Sequence, residues 1–144
     1  MQTFSKEERL HEKKIIKELF EKGRVFYLGP FKVVWIHCEY EGKYPAKVLI
    51  SVPARNFKKA TDRNYIKRMM REAYRKNKNI IYDAWEAPQS RIVFMLHYSE
   101  KIIISFNEVE NKIIFFQRNV YTAYAFDHHK IMLFFKKGVS PFYF

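Results

Sequence analysis

Residues 55–78 read RNFKKATDRNYIKRMMREAYRKNK and carry ten basic side chains against two acidic ones, so they supply +8 of the chain's +12 formal charge. Placed at 100° intervals from Arg63, these residues and the next few sort onto two faces. Arg63, Lys67, Lys78, Arg71, Asn64, Arg75 and Arg68 fall within an arc of about 140°. Met69, Ile80, Ala73, Ile66, Ala84, Asn77 and Met70 gather on the other side. Tyr74 lies inside the basic arc, while Tyr65 and Lys76 lie outside it. The spacing predicts a helix of about six turns with a basic stripe opposite a core face. Cations held on a rod with a buried face form a recognition surface rather than a solvated tail. Charge at this density is relieved by a polyanion, and for a chain with an isoelectric point near 9.8 nucleic acid is the natural one.

On the N-terminal side of this helix, FKVVWIHCEY (31–40) and AKVLISV (46–52) are rich in β-branched and aromatic residues. Gly42 and Pro45 separate them and Pro53 ends the second. They read as two strands joined in a hairpin. Further back, Ser5 and Glu8 have capping-box spacing, and Leu10, Ile15, Ile16, Leu19 and Phe20 recur at helical intervals up to Gly23. A first helix over about Lys6 to Lys22 follows. On the C-terminal side, RIVFMLHYS (91–99) reads as a third strand. Ser105 with Glu108 opens another helix, which carries Val109, Ile113, Phe116 and Val120. Alternating helices and strands give one open sheet with helices packed on it. The segment after about Tyr121 is apolar, aromatic and basic without a clear period, so the domain is expected over 1–122 with an extension over 123–144.

The chain has 144 residues, 48% hydrophobic, with only four glycines and five prolines, which suits one folded domain rather than a disordered chain. Its core should be aromatic, given 14 Phe, 10 Tyr and 2 Trp. The lone cysteine, Cys38, excludes an internal disulfide, and no apolar signal opens the chain. Both features point to the cytoplasm. No apolar run is long enough to span a membrane.

Chemistry performed by the protein itself finds little support. The five histidines show no metal-site spacing, and His37 in a strand reads as structural. His128 and His129 sit in the unplaced tail. Asp62 and Glu72 read as local partners of the basic residues, not as an acid–base pair. No catalytic and no metal-ligating residue is expected. Nucleic-acid binding is better served: Arg grips phosphate with two donors, Lys supplies a mobile charge, and Asn64 can reach a base edge or a ribose hydroxyl. Trp35 and Tyr40 either stack on bases or fill the core. A lone long helix without a helix-turn-helix partner or a dimer extension argues against a DNA-binding module.

The order of features resembles the protein subunit of bacterial ribonuclease P. The resemblance covers about residues 5 to 120. It is carried by Ile50-Ser51-Val52, the basic loop Arg55 to Lys59, Ala60, Arg63-Asn64-Tyr65, Ile66-Lys67-Arg68 and Arg71-Glu72-Ala73-Tyr74. Arg9-Leu10, with Leu19-Phe20 before Gly23, resembles the family's opening. Two positions depart from the pattern. Tyr65 replaces the third residue of an Arg-Asn-Arg motif, and Ile16 stands where relatives carry a cleft aromatic. The resemblance implies an α+β fold of the ribosomal-protein-S5 domain-2-like type, with a left-handed βαβ crossover through the basic helix. It also implies a protein cofactor to a catalytic RNA that removes the 5′ leader of precursor tRNA with Mg²⁺. Arg55, Lys58, Lys59, Arg63, Asn64, Lys67, Arg68, Arg71 and Arg75 would then face the catalytic RNA. Phe20, Ser51, Ile16 and one of Val34 or Trp35 would line the leader cleft, with strand register ambiguous by one residue.

Overall fold

The computed structural model describes residues 3–83 and 91–119. Val120, Ala84, His128, His129 and the extension over 123–144 lie outside the described residues. In chain order there follow a 3₁₀ turn Lys6–Glu8, α1 Lys13–Lys22, β1 Arg24–Leu28, β2 Phe31–Cys38 and β3 Ala46–Ser51. Then come α2 Ala60–Asn77, α3 Asn79–Asp83, β4 Arg91–Tyr98 and α4 Phe106–Asn119. The four strands form an open sheet in the order β1-β2-β4-β3. This is the α+β architecture expected, with two changes in the pairing.

The first change is that β2 and β3 do not form a hairpin. β4 lies between them, antiparallel to β2 and parallel to β3. From Ile92 to Leu96 every side chain of β4 is buried, so this strand has apolar surface on both faces and belongs in the middle of the sheet. The second change is a strand that the sequence reading passed over. Arg24–Leu28 pairs antiparallel with β2 through a tight turn at Gly29 and Pro30, where Gly29 has φ +56°, a backbone region that favours glycine.

The first helix is also shorter than expected. Ser5 N–H donates to Glu8 Oε2 at 2.7 Å, but this start opens only the single 3₁₀ turn. Arg9 is extended and bridges Val48, and Leu10 N–H donates to Val48 O at 2.9 Å. Leu10 therefore reaches the core from an extended segment, and the helix proper begins at Lys13. Gly23 N–H closes the helix onto Leu19 O at 2.8 Å. A Cβ at Gly23 would meet Leu19 O at 2.2 Å and Val34 Cγ1 at 2.6 Å, so the absence of a side chain is what lets the helix end lie on β2.

The sheet separates two apolar layers. On one face Phe26, Val33, Trp35, Phe94, Leu96 and Tyr98 pack against Ile66, Met70 and Tyr74 of α2 and Val109, Ile113 and Phe116 of α4. On the other face Val34, Val93 and Met95 pack against Leu10 and Leu19, with Ile15 and Ile16 alongside. His37 is half-buried with its ring edge-on to Trp35 at 5.5 Å between centroids. Tyr40 belongs to the second layer and donates to Tyr44 O at 2.9 Å.

Helix α2 has 18 residues, about five turns, and Lys78 caps it before α3 begins. Lys78 and Tyr74 fall in the basic arc, yet both are buried, because the N-terminal segment crosses that side of the helix. Phe4 meets the Tyr74 ring at 5.5 Å between centroids, edge to face. Lys78 Nζ donates to Glu8 Oε1 at 2.5 Å and also to Thr3 O, while Tyr82 O–H donates to the same Glu8 oxygen at 2.5 Å. Burial pushes the Glu8 carboxyl upward, but the bonds from Lys78, Tyr82 and Ser5 outweigh it and hold the group below its ordinary 4.5. A charge buried with its partners in this way is costly to leave alone. Lys78→Ala is expected to lose about 3–5 kcal/mol in urea unfolding. Since the folded pKa of Glu8 is depressed, its contribution is present above pH 4.5 and lost as pH falls through the lower folded value. Glu8→Gln should flatten that acid limb in unfolding curves taken across pH.

Candidate nucleic-acid interface

Directly opposed residues of neighbouring strands share a sheet face, so the register settles which side chains stand together. On the α1 face, Val25, Val34, Met95 and Leu49 form one row across all four strands. The next row toward the C-terminal end of β3 and β4 is Tyr27, Lys32, His97 and Ser51. Helix α1 covers Val34, Val93 and Met95. It leaves the second row open, with Tyr27 55% exposed and Lys32, His97 and Ser51 half-buried. Phe20, at the end of α1, is 59% exposed. The sheet floor beside α1 is thus left open, and this open cleft carries the polar row with the exposed Tyr27 at its β1 edge.

Within it Ser51 Oγ and His97 Nδ1 lie 3.1 Å apart. Burial, with the charges of Lys32 and Arg55, pulls the His97 imidazole below its ordinary 6.5, so it is neutral at pH 7. The basic loop between β3 and α2 starts directly after Ser51 and so leaves the sheet from the end of the polar row. Asn56 Nδ2, on the same loop, donates to Ser99 O at 3.5 Å just past the end of β4.

The register ambiguity in β2 resolves in favour of Val34, which shares the Ser51 face. Trp35 is corrected: it is 3% exposed and sits in the opposite layer, so the core-filling reading holds for it. Val34 itself is buried beneath Leu19 and shapes the floor. Ile16 packs against the α1-side layer and takes part in holding the helix down. Tyr27, Lys32 and His97 were missed. Tyr27 belongs to the strand that was passed over. Lys32 and His97 are visible only when β2 and β4 are known to be paired, although Lys32 lies two residues from Val34 and so on its face.

The cations of the other surface divide into two kinds. Arg63 donates through one guanidinium nitrogen to Phe57 O at 2.7 Å and Lys58 O at 2.9 Å, and so fastens the basic loop to the first turn of α2. Arg75 makes a two-pronged pair with Glu72, at 2.9 Å and 2.6 Å. Arg55, Lys58, Lys59, Asn64 and Arg68 are exposed and Lys67 is half-buried. Arg71 lies half-buried at a pocket of about 210 Å³ shared with Arg9, Leu10, Val48 and Ile50. Burial and the neighbouring Arg9 charge hold its guanidinium below the usual value. Loop and helix thus present one cationic surface, strongest over the first half of α2, with the helix N-terminus adding positive potential.

A family model described as Ribonuclease P matches residues 4–120. The chain belongs to the ribonuclease P protein family. The ribonuclease P protein component of Porphyromonas gingivalis is 37% identical to it over 95 residues, which is 64% of this chain and 69% of that one. The component from Petrotoga mobilis is 38% identical over 77 residues, 54% of this chain and 62% of its own length. Among solved structures, the ribonuclease P protein from Thermotoga maritima superposes with a TM-score of 0.60 at 24% identity, over 77% of this chain and 96% of that one. A Staphylococcus aureus ribonuclease P protein gives 0.54 at 21%, over 74% and 88%. These two likenesses show the fold of the family. Among the described residues no group of three or more His, Cys, Asp or Glu side chains could hold a metal, and no helix is long and apolar enough to cross a membrane.

The two aromatic candidates in this family member are separated by a stability measurement. Phe20→Ala removes an exposed ring and should unfold within about 0.5 kcal/mol of the wild type. Trp35→Ala empties the core layer and should cost about 3–5 kcal/mol. Urea denaturation of both variants checks the assignment.

Proposed function

We propose that this chain is the protein subunit of a ribonuclease P holoenzyme that removes the 5′ leader of precursor tRNA, and that it uses two surfaces to do so. The observation that carries the reading is the adjacency of a cationic helix–loop surface to an open, polar-floored cleft at one end of the sheet. The basic loop and α2 take the catalytic RNA, lowering the repulsion between phosphates as that RNA and the substrate come together. The cleft takes the single-stranded leader: Phe20 and Tyr27 offer ring faces for bases, while Lys32 supplies a charge for phosphate. His97 and Ser51, neutral at pH 7, provide hydrogen-bond groups for the ribose or phosphate oxygens. Arg63 acts on this account as a positioning residue that sets the loop.

The groups offered on the two surfaces are mainly guanidinium, ammonium, amide, imidazole and hydroxyl, and the exposed carboxylate of Glu72 is taken up by Arg75. Such groups suit phosphate and do not suit Mg²⁺, which takes carboxylate and water oxygens. On this reading Mg²⁺ would be held mainly by the RNA, where it would supply the activation of water, and the protein's part is to bind and align. The lone Cys38 fits a reducing cytoplasm, where the complex would act.

With Arg55, Lys58, Lys59, Lys67, Arg68 and Arg71 as the open cations, log affinity for the catalytic RNA should fall with log salt at a slope of about −4 to −5.5. Changing Lys59, Lys67 and Arg68 together to Ala should make that slope shallower by about 2 to 3. The same change should abolish protein-dependent leader release from precursor tRNA at low Mg²⁺. Phe20→Ala should instead lower affinity for substrates with a leader and leave leaderless tRNA unaffected. Wild-type protein that binds both RNAs yet leaves cleavage unchanged would overturn the reading in favour of a general RNA-binding role.

A further inference from the structure

Six large apolar or aromatic side chains are at least 39% exposed among the described residues. Phe20 stands near the end of α1, Val25 and Tyr27 on β1, and Ile102 and Ile103 in the loop before α4. The sixth, Tyr65, is 53% exposed and stands on α2. We propose that Tyr65 is a stacking platform for an unpaired base of the catalytic RNA, an inference that rests on the function proposed above and adds base recognition to its cationic surface.

The placement supports this. Tyr65 sits about 60° outside the basic stripe, with the exposed Arg68 three residues on and Thr61 four residues back, the spacings at which helix side chains are neighbours. Asp62, three residues back, is half-buried. The core side of the helix is filled by Ile66, Met69, Met70 and Ala73, so the ring has no place in the interior. A neutral aromatic ring beside the Arg, Lys and Asn side chains of this surface adds nothing to phosphate attraction, but it offers a π-face that any base can cover. Arg68 beside it can hold the phosphate of the same nucleotide. The partner is therefore a nucleotide whose base is free to stack: one in a loop or bulge rather than in a duplex.

The consequence differs from that of a lost cation. With the full-length chain and the catalytic RNA titrated over a series of salt concentrations, Tyr65→Ala should weaken binding about 5- to 150-fold at every salt, the range for losing one stacked base, with the slope unchanged. Tyr65→Phe should bind like the wild type. Tyr65→Arg should steepen the slope by about 0.7 to 0.9 as one more phosphate is neutralised. Catalytic RNAs carrying single abasic nucleotides locate the partner. At one position, removal of the base should weaken the wild type as much as Tyr65→Ala does, and the two changes together should cost no more than either alone. Tyr65→Ala binding at wild-type strength, or weakening accompanied by a shallower slope, would overturn the inference. If instead the Lys59, Lys67 and Arg68 triple change leaves RNA binding intact, it is the role of α2 that fails and not Tyr65 alone.

Discussion

The organising constraint is the alternation of side chains along β4, the strand with neighbours on both edges and apolar layers on both faces. Ile92, Phe94, Leu96 and Tyr98 face α2 and α4, while Val93, Met95 and His97 face α1. Five consecutive buried residues require helices on both sides of the sheet, and the sixth, His97, is the first that is not fully covered. α1 closes over Val93 and Met95 and stops at Gly23, where the backbone lies against Val34. The open row at Tyr27, Lys32, His97 and Ser51 is the part of the floor that this helix does not reach. The cleft follows from where one helix ends over a strand whose pattern leaves no other arrangement of the layers.

The same sheet end carries the basic loop, and the distribution of charge there is selective. Some cations of the 55–78 stretch are committed to the fold: Lys78 is buried with Glu8, Arg63 fastens the loop, and Arg75 is held by Glu72. Lys76 pairs with Glu110 at 3.5 Å and Arg71 lies beside Arg9 of the N-terminal segment, while the remainder project from the loop and the first turns of α2. Net charge alone would have overstated the surface available to a polyanion. The buried Glu8, Lys78 and Tyr82 group draws the line between the two classes by pinning residues 3–10 across the C-terminal half of the helix.

Much of this was legible beforehand because it is local. The 3.6-residue period around Ile66, Met69, Met70 and Ala73 located α2 and its core face. The apolar run from Ile92 to Leu96 located β4, and Ser105 marked the start of α4, where its Oγ accepts from Glu108 N–H at 3.2 Å. What was illegible is non-local. The pairing of β2 with β4 instead of β3 depends on a strand more than fifty residues away. The burial of Tyr74 and Lys78 depends on a segment at the other end of the domain. β1 was missed because Arg24, Val25 and Tyr27 are exposed and only Phe26 and Leu28 carry the alternation. The basic loop and Phe20 could be named from the chain, but the choice of Val34 over Trp35 needed the register, since a slip of one residue exchanges the faces.

The central claim is that two adjoining surfaces serve two RNAs, and lysine reactivity tests it most directly. Acetylation rates of individual lysines, followed by mass spectrometry, would be compared for the free protein, its complex with the catalytic RNA, and the same complex with leader-bearing or leaderless tRNA. The account predicts that the catalytic RNA alone protects Lys58, Lys59 and Lys67 while Lys32 stays reactive, and that Lys32 becomes protected only when a leader is present. Protection of Lys32 by the catalytic RNA alone, or full reactivity of Lys58, Lys59 and Lys67 in the complex, would contradict it.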